Sequence, residues 1–334
     1  MEIQDTFSQC LTTIVQKFSP STTRSQILVE TGHWLRISLA LQLPRQINIG
    51  HPAGENSWDI LGIVNTAFSG MGINYDLFIG ERRYSRGHKT AANAKYRIDW
   101  EHAHLISHIE DLKKAIEGIE DELTLVALPD GSYKVVSERN DAHAISKDKL
   151  LEKMNDLMEM PLGPILLQVN SISPSNHLDL PWNAILYWGW TFERGEEPTE
   201  IEGNGGFSTV SGWKAYARWM QSYLFDNRKA IHPFIETIPY LLLDRKKTSI
   251  EYWAYLAEKH EIEMSATIAS RFREIAEDSL PLIQDLIDAY ERQAAHRTIR
   301  EKVSACYFND QRTLEVFNLS RKHYNDLQHR KKPW

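Results

Sequence analysis

The sequence predicts an α+β protein: a mixed α/β part over residues 1–205, followed by an all-helical region over 206–334 packed on it. Three observations predict this. Between Gln46 and Ile79 the pattern runs alternating strand, loop, amphipathic helix, alternating strand, the grammar of an α/β layer. Asp130-Gly131 lies between two apolar runs, the strongest short hairpin signal. From Ser211 to about residue 328, helical periodicity continues with no alternating run, so no strand longer than three residues is expected there.

Taken in order, 6–18 reads as a helix with Leu11, Ile14, Val15 and Phe18 on one face, and 25–43 as a second, stopped by Pro44. Residues 46–49 read as a strand and His51–Ser57 as a loop. Asn56 or Ser57 can cap a helix carrying Trp58, Leu61, Val64 and Phe68, closed by Gly70 and Gly72. Ile73, Tyr75, Leu77 and Ile79 alternate as a strand, and 81–97 is aperiodic loop. The stripe Leu105, Ile109, Leu112, Ile116 and Ile119 predicts a helix over 101–119. The hairpin uses 123–128 and 133–136. Ser146 can cap a helix carrying Leu150 to Met158, and strands are expected at 165–169 and 184–190. The turn-rich stretch after Glu193 sets the boundary between 195 and 211; breaks in the helical region are expected near Pro233, Pro239 and Pro281.

Net charge is −7, and the basic residues cluster mainly in the tail around Arg321–Lys322 and Arg330–Lys332, which argues against a nucleic-acid surface. No apolar run reaches membrane-spanning length, and the first residues lack a secretory pattern. Cys10 and Cys306 are the two cysteines, so neither a disulfide framework nor a cysteine-rich zinc site is expected. These features suggest a cytoplasmic protein without membrane or nucleic-acid partners. Of the 10 Trp, six fall at 182, 188, 190, 213, 219 and 253, where they build a core or line a pocket.

Chemistry has few candidates. Cys10 follows Ser8, a candidate N-cap, and a helix start favours a thiolate, but the residue reads first as a small buried apolar group. His104, His108 and Asp111, with Glu101 one turn earlier, have a spacing that can hold a divalent metal on a helix, but they flank the apolar stripe as a solvated face does, and no metal is expected. Gly203–Gly206 precedes a helix without Walker spacing and reads as a turn. His177 with Asp179 can form a general base and its orienting partner, or ordinary loop groups.

The run Ile165-Leu-Leu-Gln-Val, followed by Ala184-Ile-Leu-Tyr-Trp-Gly-Trp-Thr, resembles the second half of a papain-like fold. There a central strand begins at the catalytic His and runs into a Gly–aromatic pair. Val210-Ser-Gly-Trp-Lys-Ala-Tyr-Ala-Arg-Trp-Met, the segment Leu241–Ala257 and Leu286-Ile-Asp-Ala-Tyr-Glu-Arg look like helices attached to bacterial relatives of butirosin-biosynthesis protein H and the bacteriocin-processing cysteine peptidases. The likeness covers 165–292. It implies a papain-like α/β domain with helices attached, and thiol chemistry where residues match. At the position leading the expected strand 184–190 stands Asn183, not His.

The expectation is therefore a degenerate, non-catalytic member of that scaffold binding a small molecule or peptide near Trp182, Asn183, Trp188 and Trp190, without a cofactor. The alternative is a cysteine-dependent amide hydrolase or acyltransferase with Cys10 as nucleophile, His177 as base and Asp179 orienting it. On packing, Trp213, Tyr216, Trp219 and Leu224 are expected to bury one helix face against the sheet beside strands 165–169 and 184–190.

Overall fold

The computed structural model describes residues 6–40, 60–79, 82–85, 92–93, 103–105, 124–127, 133–136, 142–145, 165–173, 180–195, 209–224 and 233–330. The protein is α+β, with a helical C-terminal region. Helix α1 (Thr6–Gln16) buries Leu11, Ile14 and Val15. Thr23 caps α2 (Arg24–Glu30), its hydroxyl accepting from the Gln26 N–H at 3.1 Å. A 3-10 turn (His33–Leu35) leads to β1 (Ser38–Ala40). Helix α3 (Ile60–Gly70) then packs on β2 (Ile73–Ile79).

Strands β3 (Arg82–Ser85), β4 (Ala92–Asn93), β5 (Ala103–Leu105) and β9 (Ile165–Ile172) join β2 in an antiparallel sheet of order β4-β3-β2-β9-β5. The expected hairpin is present as β6 (Thr124–Ala127) and β7 (Tyr133–Val136), with β8 (Ala142–Ile145) added antiparallel to β7. The order β2-β9 places Tyr75, Leu77, Leu167 and Val169 in the interior, where Tyr75 meets Phe68 of α3 edge-on at 5.4 Å.

The rest is helical: α4 (Trp182–Arg194), α5 (Gly212–Gln221), a 3-10 turn (Pro233–Glu236), α6 (Ile238–Lys259), α7 (Glu263–Glu291), α8 (His296–Gln311) and α9 (Thr313–Arg330). The short strand β10 (Thr209–Ser211) returns to pair antiparallel with β1, Leu39 opposite Val210. Among the described residues, no strand longer than three residues occurs after 211.

Two apolar clusters form the core. One gathers α1 to α3, β2, β9 and α4 around Trp34, Trp253, Leu256 and Phe272. The other gathers α5 and α8 around Tyr216, Trp219, Leu242, Leu286 and Val303. Helices α6 and α7 contribute to both, so apolar side chains from 1–205 and 206–334 share one cluster.

Several local expectations are overturned. Residues 184–190 are helix, not strand: Ala184, Ile185, Trp188, Gly189 and Phe192 are buried at helical spacing i, i+1, i+4, i+5, i+8. An apolar run of this length does not reveal its period when nearly every position is apolar. The helix expected at 101–119 does not begin there, because Ala103–Leu105 pairs with β9, His104 opposite Leu167; residues 106–119 lie outside the described set. The helix expected at 25–43 ends at Glu30, because Gly32 adopts φ 67° and turns the chain. No break occurs at Pro281: α7 continues through it, held by Ile275, Ala276, Ile283 and Leu286 buried on both sides. Finally, Tyr216 and Trp219 are buried but Trp213 and Leu224 are exposed, and α5 packs mainly on α8, α4 and the β1–β10 ribbon rather than on β9. The strand expected at 46–49, the His51–Ser57 loop and the helix after Ser146 lie outside the described residues.

Candidate functional site

Helix α4 carries all four residues expected to bind ligand. It begins after Pro181, which offers no side-chain cap, and ends at Gly195, whose φ of 72° lets its N–H reach the Thr191 carbonyl. At about 100° per residue, Asn183 and Trp190 share one side with Trp182 nearby, while Trp188 points elsewhere. The four residues therefore do not converge. Trp188 is buried, and its indole N–H donates to the Thr31 carbonyl at 2.6 Å. Asn183 is exposed. Trp190 is half-buried, with the Arg194 guanidinium 4.6 Å above its ring.

Trp182 has chemistry around it. Its half-buried ring lies 5.8 Å from the His323 imidazole and 5.5 Å from the Tyr324 ring, both on α9. His323 Nε2 is 3.0 Å from Ser265 Oγ, in the first turn of α7. Trp182 of α4 thus stands at a corner with α9 and, through His323, with α7, where aromatic, imidazole and hydroxyl groups come together. The Ser265–His323 pair spans 58 residues, so no local pattern could have announced it. What the sequence does carry is the helical spacing that points His323 and Tyr324 inward.

Cys10 lies within α1, but its side chain is outside the described residues, as are His177 and Asp179. Among the described residues Cys306 is free and buried, and burial with the nearby Asp310 carboxylate pushes its thiol up to about 12. It carries no thiolate near neutral pH. His104 belongs to β5; His108, Asp111 and Glu101 are outside the described set, as is Gly203–Gly206. Among the described residues no group of three or more His, Cys, Asp or Glu is placed to hold a metal.

A second polar centre lies inside the helical region. Lys246 of α6 donates to Asp310 Oδ1 of α8 at 2.6 Å, both side chains almost fully buried. Tyr216 of α5 donates to Asp310 Oδ2 at 2.8 Å, and the Asn309 amide donates to Ser279 Oγ at 2.7 Å and to the Ile275 carbonyl at 3.0 Å. The ammonium also stands 5.0 Å from the Trp34 ring. Burial, then the Asp310 charge, holds the Tyr216 hydroxyl well above its usual range. Every charge here is compensated by a neighbour, which marks a helix-docking centre rather than a reactive one.

Among the described residues no helix is long and apolar enough to cross a membrane. No protein-family model and no curated protein matches the chain.

Proposed function

We propose that this chain is a papain-like scaffold protein without working thiol chemistry, cytoplasmic, binding a small molecule or peptide at the α4–α7–α9 corner. Support for the scaffold comes from the antiparallel sheet β4-β3-β2-β9-β5 with α3 packed against β2. The observation that carries the loss of thiol chemistry is Asn183. The resemblance puts a strand led by a catalytic His here, whereas this chain has a helix with an exposed Asn in its first turn, so 182–194 departs from the papain-like pattern in both the His and the strand that would carry it. The half-buried rings of Trp182 and Tyr324 give a ligand apolar surface, and Asn183 and His323 give it polar contacts.

The test is a thermal-shift screen of purified protein against dipeptides and N-acyl amino acids. The expected result is a stabilising ligand whose effect disappears in Trp182→Ala. Hydrolysis of such an N-acyl amino acid, abolished by Cys10→Ala, would replace this reading with the cysteine-dependent hydrolase.

A further inference from the structure

We infer that Ser265 and His323 form a nucleophile–base pair that accepts a small apolar acyl group at the Trp182 corner. The inference rests on the ligand site proposed above and adds a covalent step to it. The geometry comes first: Oγ and Nε2 are 3.0 Å apart, inside the range a general base needs. With the imidazole proton on Nδ1, Nε2 accepts the hydroxyl proton.

The surroundings add two features of acyl chemistry. Ser265 lies in the first turn of α7, whose N-cap is Ile262, a residue with no side chain able to accept from the turn's N–H groups. That turn therefore starts without a side-chain cap. Ile262 and Met264, beside Ser265 in the chain, are apolar and 42% and 40% exposed, and the Trp182 ring stands 5.8 Å from the His323 imidazole. Ser265 itself is only 1% exposed, so a neighbouring side chain must shift for a substrate to reach it, which restricts the acyl group to a small one.

The step balances without a cofactor. Oγ attacks the carbonyl carbon of an ester while its proton passes to Nε2. The C–O bond to the alkoxide breaks, and His323 returns that proton to the departing alcohol. Water then attacks the acyl-serine carbonyl, gives a proton to Nε2, and releases the carboxylic acid as Oγ is reprotonated.

The test uses a small alkyl fluorophosphonate on the full chain, with the adduct mapped by peptide mass spectrometry. Oγ displaces fluoride at phosphorus, so an adduct on Ser265 reads nucleophilicity directly. The expected result is labelling at Ser265 that is unchanged in Cys10→Ser, about a hundredfold slower in His323→Gln, and faster in Trp182→Ala or, if that variant does not fold by circular dichroism, in Trp182→Phe. No adduct on Ser265 in folded wild-type and folded Trp182 variants would overturn the pair, as would a labelling rate indifferent to His323→Gln. Either failure leaves ligand binding in the thermal-shift screen untouched, so the two readings fall separately.

Discussion

The indole of Trp188 fills the space that a Cβ at Gly32 would occupy, and its N–H closes on the carbonyl of the preceding residue, Thr31. Gly32 also holds φ 67°, a left-handed backbone that other residues adopt at a cost. Two requirements thus meet at one residue, and they join α2 to α4 across 157 positions of sequence.

Gly32→Ala should therefore destabilise the protein by about 3 kcal/mol, the sum of overpacking and left-handed strain. Urea denaturation of the variant measures it. A midpoint equal to wild type would show that α2 and α4 do not meet in this way.

Glu30 predicts a pH dependence. Burial raises its carboxyl from the ordinary 4.5 to about 8, while a Tyr252 hydrogen bond at 3.4 Å opposes the rise. The folded protein thus keeps a proton that the unfolded chain releases near 4.5. The associated stability is fully present below that pH and is lost as pH rises toward and through about 8, at up to about 1.4 kcal/mol per pH unit. Glu30→Gln should flatten this fall and raise the melting temperature at pH 8 relative to wild type. A wild-type melting temperature that is flat, or rising, between pH 5 and pH 8 after subtracting the variant's own profile would contradict it.

Lys246 and Asp310 should behave as a unit. Asp310→Asn or Lys246→Met alone leaves one buried charge uncompensated and should cost about 3–5 kcal/mol. The double variant Lys246→Met/Asp310→Asn should cost clearly less than the sum, because neither charge remains. Additive losses in a double-mutant cycle would mean the ion pair is not formed.

Trp219 is fully buried, with its N–H donating to the Tyr290 hydroxyl at 3.0 Å. Trp219→Ala should cost about 3–5 kcal/mol for the whole molecule. A chain ending at residue 210 should lack a cooperative melting transition, because Trp253, Leu256 and Phe272 complete the cluster around Trp34. A truncated chain melting at the wild-type temperature would make the helical region independent.

The parts legible in the sequence were those with an unambiguous period. The alternation Ile73, Tyr75, Leu77 identified β2; Asp130-Gly131 identified the β6–β7 hairpin; the helical region followed from its stripes. The failures share a cause in competition between local and distant terms. The run 184–192 is apolar at nearly every position, so strand and helix were equally readable until burial selected the spacing of Ala184, Trp188 and Phe192. His104 flanks an apolar stripe of helical period, yet pairing with β9 claims it. Of the candidate site, Trp182 and Asn183 were visible by residue type. Their neighbours Ser265 and His323 were not, because a contact between two distant helices leaves no mark on either segment alone.

Phe317 packs against Gly189, where an added Cβ would lie 3.0 Å from its ring. Phe317 is also among the final residues of the first apolar cluster, with Val316 beside it on α9. During synthesis, then, Trp34 leaves the ribosome long before Trp253 and Phe272, which pack on it, exist. The nascent chain must carry that indole unshielded for most of the span from α2 to α7, and α9 acts as the closing piece of this cluster. A stop codon anywhere ahead of α9 would leave the whole chain as a client for chaperones and proteases, so near-complete products should be cleared rather than accumulate as shorter folded forms.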